Sequence, residues 1–299
     1  FNPASRKQTS ERLKEKYPEI TFDKTEKGNV KLDDDVLDDL GKKYSEAALL
    51  SKYQLLNKRL GQISEGKEAW LKHCQRYSDG RIHGSVLTNA CVSGRCSHRN
   101  PNIANVPRVG APYGAECRAL FHAPHGWRQV GCDASGLELR ALGAQLAYFD
   151  GGEYSKLVSK EDFDIHTHNA KLFGIYDGQG EIEKQTRELA KRLIYSVLYG
   201  GGPFRVGSIL DPSLSERKQK EIGYETIDTF YKNLPAIKKL KDKVDEKVTQ
   251  RGYLIGIDGR HLQIRSRHSA LNQLLQSTGS LCVKKATCIL YEDCKENHL

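Results

Sequence analysis

The sequence predicts a mixed α+β fold with a mostly helical insertion in its middle, and three observations support this prediction. The run WRQVGC at 127–132 has the composition of a short strand, and a helical pattern follows it at once. Several helical patterns occupy residues 165–250. Beyond them, residues 253–264 alternate in polarity around Asp258-Gly259, which is a hairpin signal. Sheet elements therefore flank a helical region.

Size and charge narrow the classes of function. With 299 residues the chain can form one large or two ordinary domains. A net charge of +9 favours an anionic partner, and an aspartate cluster at 33–39 makes the remainder more basic still. No apolar run approaches the roughly 18 residues of a membrane span, and the N-terminus lacks a signal-peptide pattern. We therefore expect a cytoplasmic protein without a membrane partner.

Cysteine and methionine usage carry separate information. The eight cysteines are dispersed without a CxxC pair, so free thiols in a reducing cytoplasm explain them better than a zinc site does. Methionine is absent and the chain begins at Phe1, whereas an intact reading frame supplies an initiator methionine. We therefore expect an excised or interrupted segment of a longer protein.

The remaining elements follow in order along the chain. Residues 1 to about 80 are charged and helix-rich, and turn-forming residues dominate 81–112. In the first of these regions, apolar side chains recur at helical spacing, at Leu49, Tyr53, Leu56 and Leu60. Helices are predicted over 137–148 and over about 270–291, and Gly200-Gly201-Gly202 is predicted to terminate a helix. These glycines lack the spacing of a phosphate-binding loop.

The segment RELAKRLIYSVLYG at 187–200 is the most informative. Its residues Arg187, Lys191, Tyr195 and Tyr199 are spaced by four, and each step drifts only about 40° around a helix. Two cations and two aromatic rings therefore share one strip, which can hold a polyphosphate and offer flat surfaces to a sugar or base. The same spacing also fits a solvated basic face beside two packed tyrosines.

Carboxylates supply the candidate metal ligands. Asp133 directly follows the predicted strand, a position that suits Mg²⁺, although it also suits the N-cap of the next helix. Glu138 lies five residues on, about 140° around a helix, and need not face the same metal. Asp164 precedes another helical pattern as a cap, which leaves His166 able to face a phosphate.

Three polar side chains suggest nucleic-acid contacts. Arg95 lies in a Ser-Gly-Arg turn that can present its guanidinium to a nucleic-acid backbone or groove. Asn272 and Gln276 are four residues apart on the final predicted helix, where two amides can bond minor-groove acceptors. A solvent-exposed turn and exposed helix amides are the ordinary alternatives.

Taken together and in this order, the segments resemble family A DNA polymerases, in particular the replicative polymerases of T-seven-like bacteriophages. DASGLELR at 133–140 is similar to motif A of the family and RELAKRLIYSVLYG to motif B. The segment before motif A in the family resembles SGRCSHRNPNIANVP. The segment that follows the fingers resembles DGRHLQIRSRHSALNQLLQSTGS, and the thumb region resembles FNPASR. The resemblance runs over nearly the whole chain.

This resemblance implies a right-hand polymerase fold of thumb, palm and fingers, acting on primer–template DNA and an incoming dNTP. It implies a thumb remnant and entry to the palm at 1–80, palm at 81–150, fingers at 151–252 and palm again at 253–299. It further implies two Mg²⁺ ions held by Asp133 and the Ala134 carbonyl, and a triphosphate gripped by Arg187, Lys191 and His166. Tyr195 would lie against the sugar and base, and Tyr199 near the templating position. Glu138 would act as a steric gate that crowds a ribose 2′-hydroxyl. The minor groove would be contacted by Arg95, Asn272 and Gln276.

The chain also departs from the family pattern. The second metal aspartate of the family lies in a His-Asp-Glu motif, and no such motif follows Gln276 in this sequence. We therefore expect an incomplete palm, completed by a missing C-terminal segment or a second chain. No counterpart of the thumb insertion that binds a processivity factor is recognised. The alternatives are a catalytically incomplete DNA-binding fragment, one half of a split polymerase, or a single-subunit RNA polymerase, against which Glu138 argues.

Overall fold

The computed structural model describes residues 1–24 and 28–297, so the last two residues of the predicted C-terminal palm segment lie outside the described residues. The chain divides into two compact units. Unit 1 comprises residues 1–86 and 98–129, and unit 2 comprises residues 87–97 and 130–299. All of the predicted site residues belong to unit 2.

Unit 1 is helical, as its sequence predicts. Its core contains Leu13, Leu32 and Leu37, each at most 3% exposed. The aspartate cluster has a local role, because the Asp33 side chain accepts a hydrogen bond from the Val36 amide and caps a helix. The helices are α1 (Arg6–Lys16), α2 (Asp34–Gly41), α3 (Ser45–Leu60), α4 (Trp70–Arg76) and α5 (Gly114–Ala119). The apolar side chains predicted at helical spacing lie on α3, and all four are exposed.

Unit 2 contains the larger core. Helices α6, α9 and α12 contribute fully buried side chains to it, among them Leu142, Ile194 and Ile237. The helices are α6 (Leu137–Asp150), α7 (Glu153–Val158), α8 (Ile165–Leu172), α9 (Lys184–Leu198), α10 (Pro203–Leu210), α11 (Glu216–Asn233), α12 (Pro235–Arg251) and α13 (Ala270–Glu296). The strands of unit 2 among the described residues are β3 (Tyr253–Ile255) and β4 (His261–Gln263). Strands β1 (Ser85–Leu87) and β2 (Ser97–Arg99) have most of their residues in unit 1.

The predicted hairpin is confirmed. Strands β3 and β4 pair antiparallel with Leu254 opposite Leu262, and both of these side chains are buried. Gly259 has a φ of +81°, which glycine adopts without the steric cost that a β-carbon imposes. Packing against α12 then covers the apolar face of the hairpin.

The predicted strand at 127–132 is wrong. This segment has no regular secondary structure and is exposed throughout, with Trp127 74% and Val130 89% exposed. A strand is stable only when a neighbour satisfies its backbone groups, and neither two-stranded sheet formed by the described residues includes this segment. Apolar composition alone therefore gave an incorrect assignment.

The final helix extends further than predicted. It was expected to end near Tyr291, but α13 continues to Glu296. Its first ten residues include all of its buried residues, among them Leu271 and Leu275, whereas the second half is mostly exposed. Among the described residues, no helix of this or any other part of the chain combines the length and apolarity needed to cross a membrane.

Candidate functional site

Helix α9 forms the centre of the site. It buries one face, with Ala190, Leu193 and Ile194 all at 0% exposure, and leaves the opposite face polar. The helix ends at Leu198, and Gly200 follows with a φ of +81°. A β-carbon at Gly200 would lie 2.1 Å from the carbonyl oxygen of His268. The predicted role of the glycine run as a helix terminator is therefore confirmed.

Arg187 is held by a carboxylate that sequence analysis assigned only as a cap. Its Nε lies 2.7 Å from Oδ2 of Asp164 and its Nη2 lies 3.0 Å from Oδ1, a bidentate pair. Asp164 also accepts hydrogen bonds from the His166 amide and from Thr167, so it caps α8 as predicted. Burial alone would raise the pKa of Asp164, but these hydrogen bonds, led by that of Arg187, hold the pKa well below its usual range.

His166 lies beside the two cations of the strip. Burial first, and then the positive charges of Arg187 and Lys191, lower the pKa of His166. Its Nδ1 is buried without a hydrogen-bond partner among the described residues. Lys191 is exposed. Lys191 forms no ion pair with any of the described residues, whereas Nη1 of Arg187 also lies 3.7 Å from Oε1 of Glu188. Of the two predicted phosphate-binding cations, Lys191 is therefore the more available.

The two tyrosines of the strip meet Glu138, which lies in the first turn of α6. The Tyr199 hydroxyl donates to Oε2 of Glu138 over 2.7 Å, and the rings of Tyr195 and Tyr199 have centroids 5.9 Å apart. Burial, and then the Glu138 hydrogen bond, raise the pKa of Tyr199, while the positive charge of Arg95 acts in the opposite direction. Arg95, Glu138 and the end of α9 are thus brought together.

The predicted amides lie on the first turns of α13 and are half-buried. Oδ1 of Asn272 is buried and has no hydrogen-bond partner among the described residues. Gln276 lies three residues before Gly279, where an added β-carbon would be 3.1 Å from Leu137 Cδ2. This part of α13 therefore packs against the start of α6, next to Glu138.

Asp133 lies in an exposed loop before α6. The N-cap of α6 is Gly136, so the alternative that Asp133 caps this helix is wrong. Ala134 is exposed in the same loop. Within residues 1–24 and 28–297, no group of three or more His, Cys, Asp or Glu side chains converges as a metal site does. Asp133 and Ala134, the predicted metal ligands, therefore both lie in this exposed loop, outside any such group.

Two groups at the site were missed by sequence reasoning. Tyr154 is 2% exposed, and its hydroxyl has no hydrogen-bond partner among the described residues. Burial raises the pKa of Tyr154, and the nearby phenol of Tyr195 raises it further. Arg260 packs against the turn that carries Arg95. Neither had a signal in the sequence, because both contacts join segments distant along the chain.

The fold defined by this arrangement is that of a nucleic-acid polymerase domain. The polymerase domain of Pol1 from M. smegmatis, solved in complex with DNA primer–template and dNTP, superposes with a TM-score of 0.77 at 20% identity. The match covers 100% of this chain and 52% of that one. The chain also matches the model of DNA polymerase family A over residues 1–299 and belongs to this family.

Individual relatives agree with this assignment. The DNA-directed DNA polymerases of Enterobacteria phage T3 and Escherichia phage T7 are each 38% identical over 95% of this chain. The thermostable DNA polymerase I of Thermus aquaticus is 29% identical over 73% of the chain and 26% of its own length. The chain spans 41% of the length of each phage relative.

Proposed function

We propose that this chain acts in template-directed DNA synthesis, in which a dNTP is joined to a primer 3′-hydroxyl. The observation that carries the proposal is the convergence of α9 with Glu138. The Tyr199–Glu138 hydrogen bond connects a strip of cations and rings to the first turn of α6. Membership of DNA polymerase family A agrees with this use of the strip.

The nucleotide is proposed to lie along this strip. Lys191 would bind the triphosphate, with Arg187 and His166 beside it, because a polyphosphate is bound through cations and N–H donors. Tyr195 would contact the sugar and base, and Tyr199 would lie near the templating position. Glu138 would crowd a ribose 2′-hydroxyl and so favour deoxyribonucleotides.

The DNA is proposed to lie against the neighbouring polar residues. Arg95, Asn272 and Gln276 would contact the primer–template minor groove near the growing end, where the acceptors are similar in every base pair. Residues 1–80 would form a thumb remnant and the entry to the palm. Residues 81–150 and 253–299 would belong to the palm, and 151–252 to the fingers. The cytoplasm of a host cell is the proposed location, in keeping with eight free cysteines.

Family A polymerases use divalent metal ions, and we propose that Asp133 contributes one carboxylate and Ala134 one carbonyl oxygen to such binding. Mg²⁺ is commonly bound by one or two carboxylates together with substrate phosphates. A single exposed carboxylate is not a preformed site, so the metal would bind together with the phosphates of the nucleotide.

Nucleotide binding by two matched variants tests this proposal. Lys191 and Arg192 are adjacent exposed cations on α9, about 100° apart around the helix. Lys191→Ala should weaken dNTP binding to the complex with primer–template by about tenfold, as expected for loss of one charge-assisted contact. Arg192→Ala should change it by less than about twofold. Equal effects of the two changes, measured by titration of a fluorescent primer–template, would refute the assignment of the strip.

A second function is a DNA-binding module, or one half of a split polymerase. It is favoured because Asp133 belongs to no cluster of three or more potential metal ligands in the part of the chain that the structure describes. Primer extension with Mg²⁺ discriminates these readings. Extension by the chain that Asp133→Ala abolishes supports a polymerase. Binding without extension supports the module. Extension only after addition of a polypeptide carrying the missing aspartate supports the split enzyme.

A further inference from the structure

The turn that carries Arg95 is fixed by contacts from distant parts of unit 2. Gly94 is buried with a φ of +79°, and its amide donates to the Cys91 carbonyl over 2.8 Å. Arg95 itself is exposed. A β-carbon at Gly94 would lie only 2.6 Å from Nη1 of Arg260, which places this guanidinium directly against the turn. Glycine adopts this φ without the strain that a β-carbon imposes, and an added β-carbon would force the Arg260 guanidinium to move.

Arg260 is in turn oriented by its own hairpin. Its Nε donates to Oδ2 of Asp258 over 2.6 Å, and its Nη1 lies 3.4 Å from Oδ1 of Asn89, at the start of the same segment as Arg95. The Arg260 and Asp258 side chains are only 30% and 32% exposed. The hairpin tip thus holds a rigid planar cation in one orientation, which a flexible lysine would not reproduce.

We propose that Arg260, oriented by Asp258, is a positioning residue that sets Arg95 against the primer–template minor groove. This inference rests on the proposed function and assigns a residue that acts through Arg95 rather than on the DNA. Lys284 supports the same segment, since its Nζ donates to the Thr88 carbonyl. Because the charge of Arg95 reaches Tyr199, displacement of the turn would separate the primer-end contact from the Tyr199–Glu138 pair.

A purely structural role for Arg260 makes a different prediction. If the guanidinium only stabilised the hairpin, its loss would lower stability without regard to whether Arg95 is present. If it acts through Arg95, then removing it should matter only while Arg95 is there. Residues that act on the same contact give non-additive effects, and a double-mutant cycle measures this directly.

The experiment is a cycle of Arg260→Ala and Arg95→Ala, read out as the Kd for primer–template DNA by fluorescence anisotropy at one fixed salt concentration. Each single change is expected to weaken binding by about tenfold. The double variant should be within about twofold of Arg95→Ala alone. The proposal would be overturned if the double variant bound DNA about a hundredfold more weakly than the wild type, which is the product of the two single losses. It would also be overturned if the Kd of Arg260→Ala were within about twofold of the wild-type Kd.

Three controls keep the outcomes distinct. Arg217→Ala removes an exposed arginine of α11 and should leave the Kd unchanged. Asp258→Asn frees the Arg260 guanidinium without deleting it, and should reproduce most of the loss even if Arg260→Ala folds poorly. Urea unfolding of each variant separates lost binding from lost structure. A wild-type chain that binds no primer–template DNA would instead refute the proposed function itself.

Discussion

The bidentate pair between Arg187 and Asp164 offers a quantitative test of how the site is held together. Asp164→Ala removes the ion pair and the cap of α8 together, since the same carboxylate accepts from the His166 amide and from Thr167. Arg187→Ala removes the ion pair and the 3.7 Å contact with Glu188, but leaves the cap in place. Combining the two in a double-mutant cycle isolates the energy of the pair from the energy of the cap.

The magnitude follows from the exposure of the pair. Two unit charges about 4 Å apart interact by about 1 kcal/mol in water and about 4 kcal/mol at an effective dielectric constant of 20. Both side chains here are 38% exposed, so solvent screening is strong and ordering the arginine costs entropy. We therefore expect a coupling of about 1 kcal/mol. Loss of the cap should add about 1 kcal/mol, so Asp164→Ala should cost about 2 kcal/mol in all.

Urea unfolding of the four proteins at pH 7 measures both quantities, provided that the m-values agree. The pKa of Asp164 is lowered in the folded state, so the pair stabilises the protein above the unfolded pKa of about 3.9. This contribution should disappear as the pH falls through the lower, folded pKa. A coupling of zero at pH 7, with Asp164→Ala equally costly in both backgrounds, would refute the reasoning.

Three further predictions concern neighbouring residues. Glu138→Ala should reduce the preference for dNTP over rNTP by about tenfold in a competition assay, and an unchanged preference would eliminate the gate. Gly200→Ala should lower the free energy of unfolding by about 3 kcal/mol or more, because a β-carbon would meet the His268 carbonyl at 2.1 Å. Gly202→Ala should change it by no more than about 0.5 kcal/mol, because a β-carbon there would meet only open space. The pKa of His166 lies below its ordinary value, so its protonation favours unfolding. Stability should therefore fall as the pH drops below about 6.5, and His166→Gln should flatten this slope.

The sequence predicted the elements whose signals are local. Helix α9 and the β3–β4 hairpin were foreseen because a four-residue period and an Asp-Gly turn are properties of short segments. The exposed segment at 127–132 was misassigned because strand formation depends on a partner that composition does not specify. The cap at Asp164 was foreseen for the same local reason, since its acceptor contacts lie within three residues.

Candidate site residues could be proposed from the sequence, but not the network of contacts that the structure forms among them. A spacing of four placed Arg187 and Lys191 on one strip, yet it could not indicate that only one of them is ion-paired. The partner carboxylate of Arg187 lies 23 residues away in sequence, and the turn at Gly94 is reached by Arg260 from another hairpin. Such contacts depend on the packing of α8 against α9 and of the hairpin against the turn.

This network changes how the basic strip is expected to work. Arg187 lies between Asp164 and Glu188, and the lowered pKa of His166 keeps the imidazole ring neutral near pH 7. The one positive and two negative side chains therefore sum to a net charge of about minus one before Lys191 is counted. Lys191 brings the cluster only to neutrality. On the proposed function, an incoming triphosphate would meet one exposed ammonium, on Lys191, and a guanidinium that Asp164 already orients. Affinity should come chiefly from Lys191, whereas Arg187, held by Asp164, should contribute geometry, because a preoriented fork loses little entropy when it forms a further hydrogen bond.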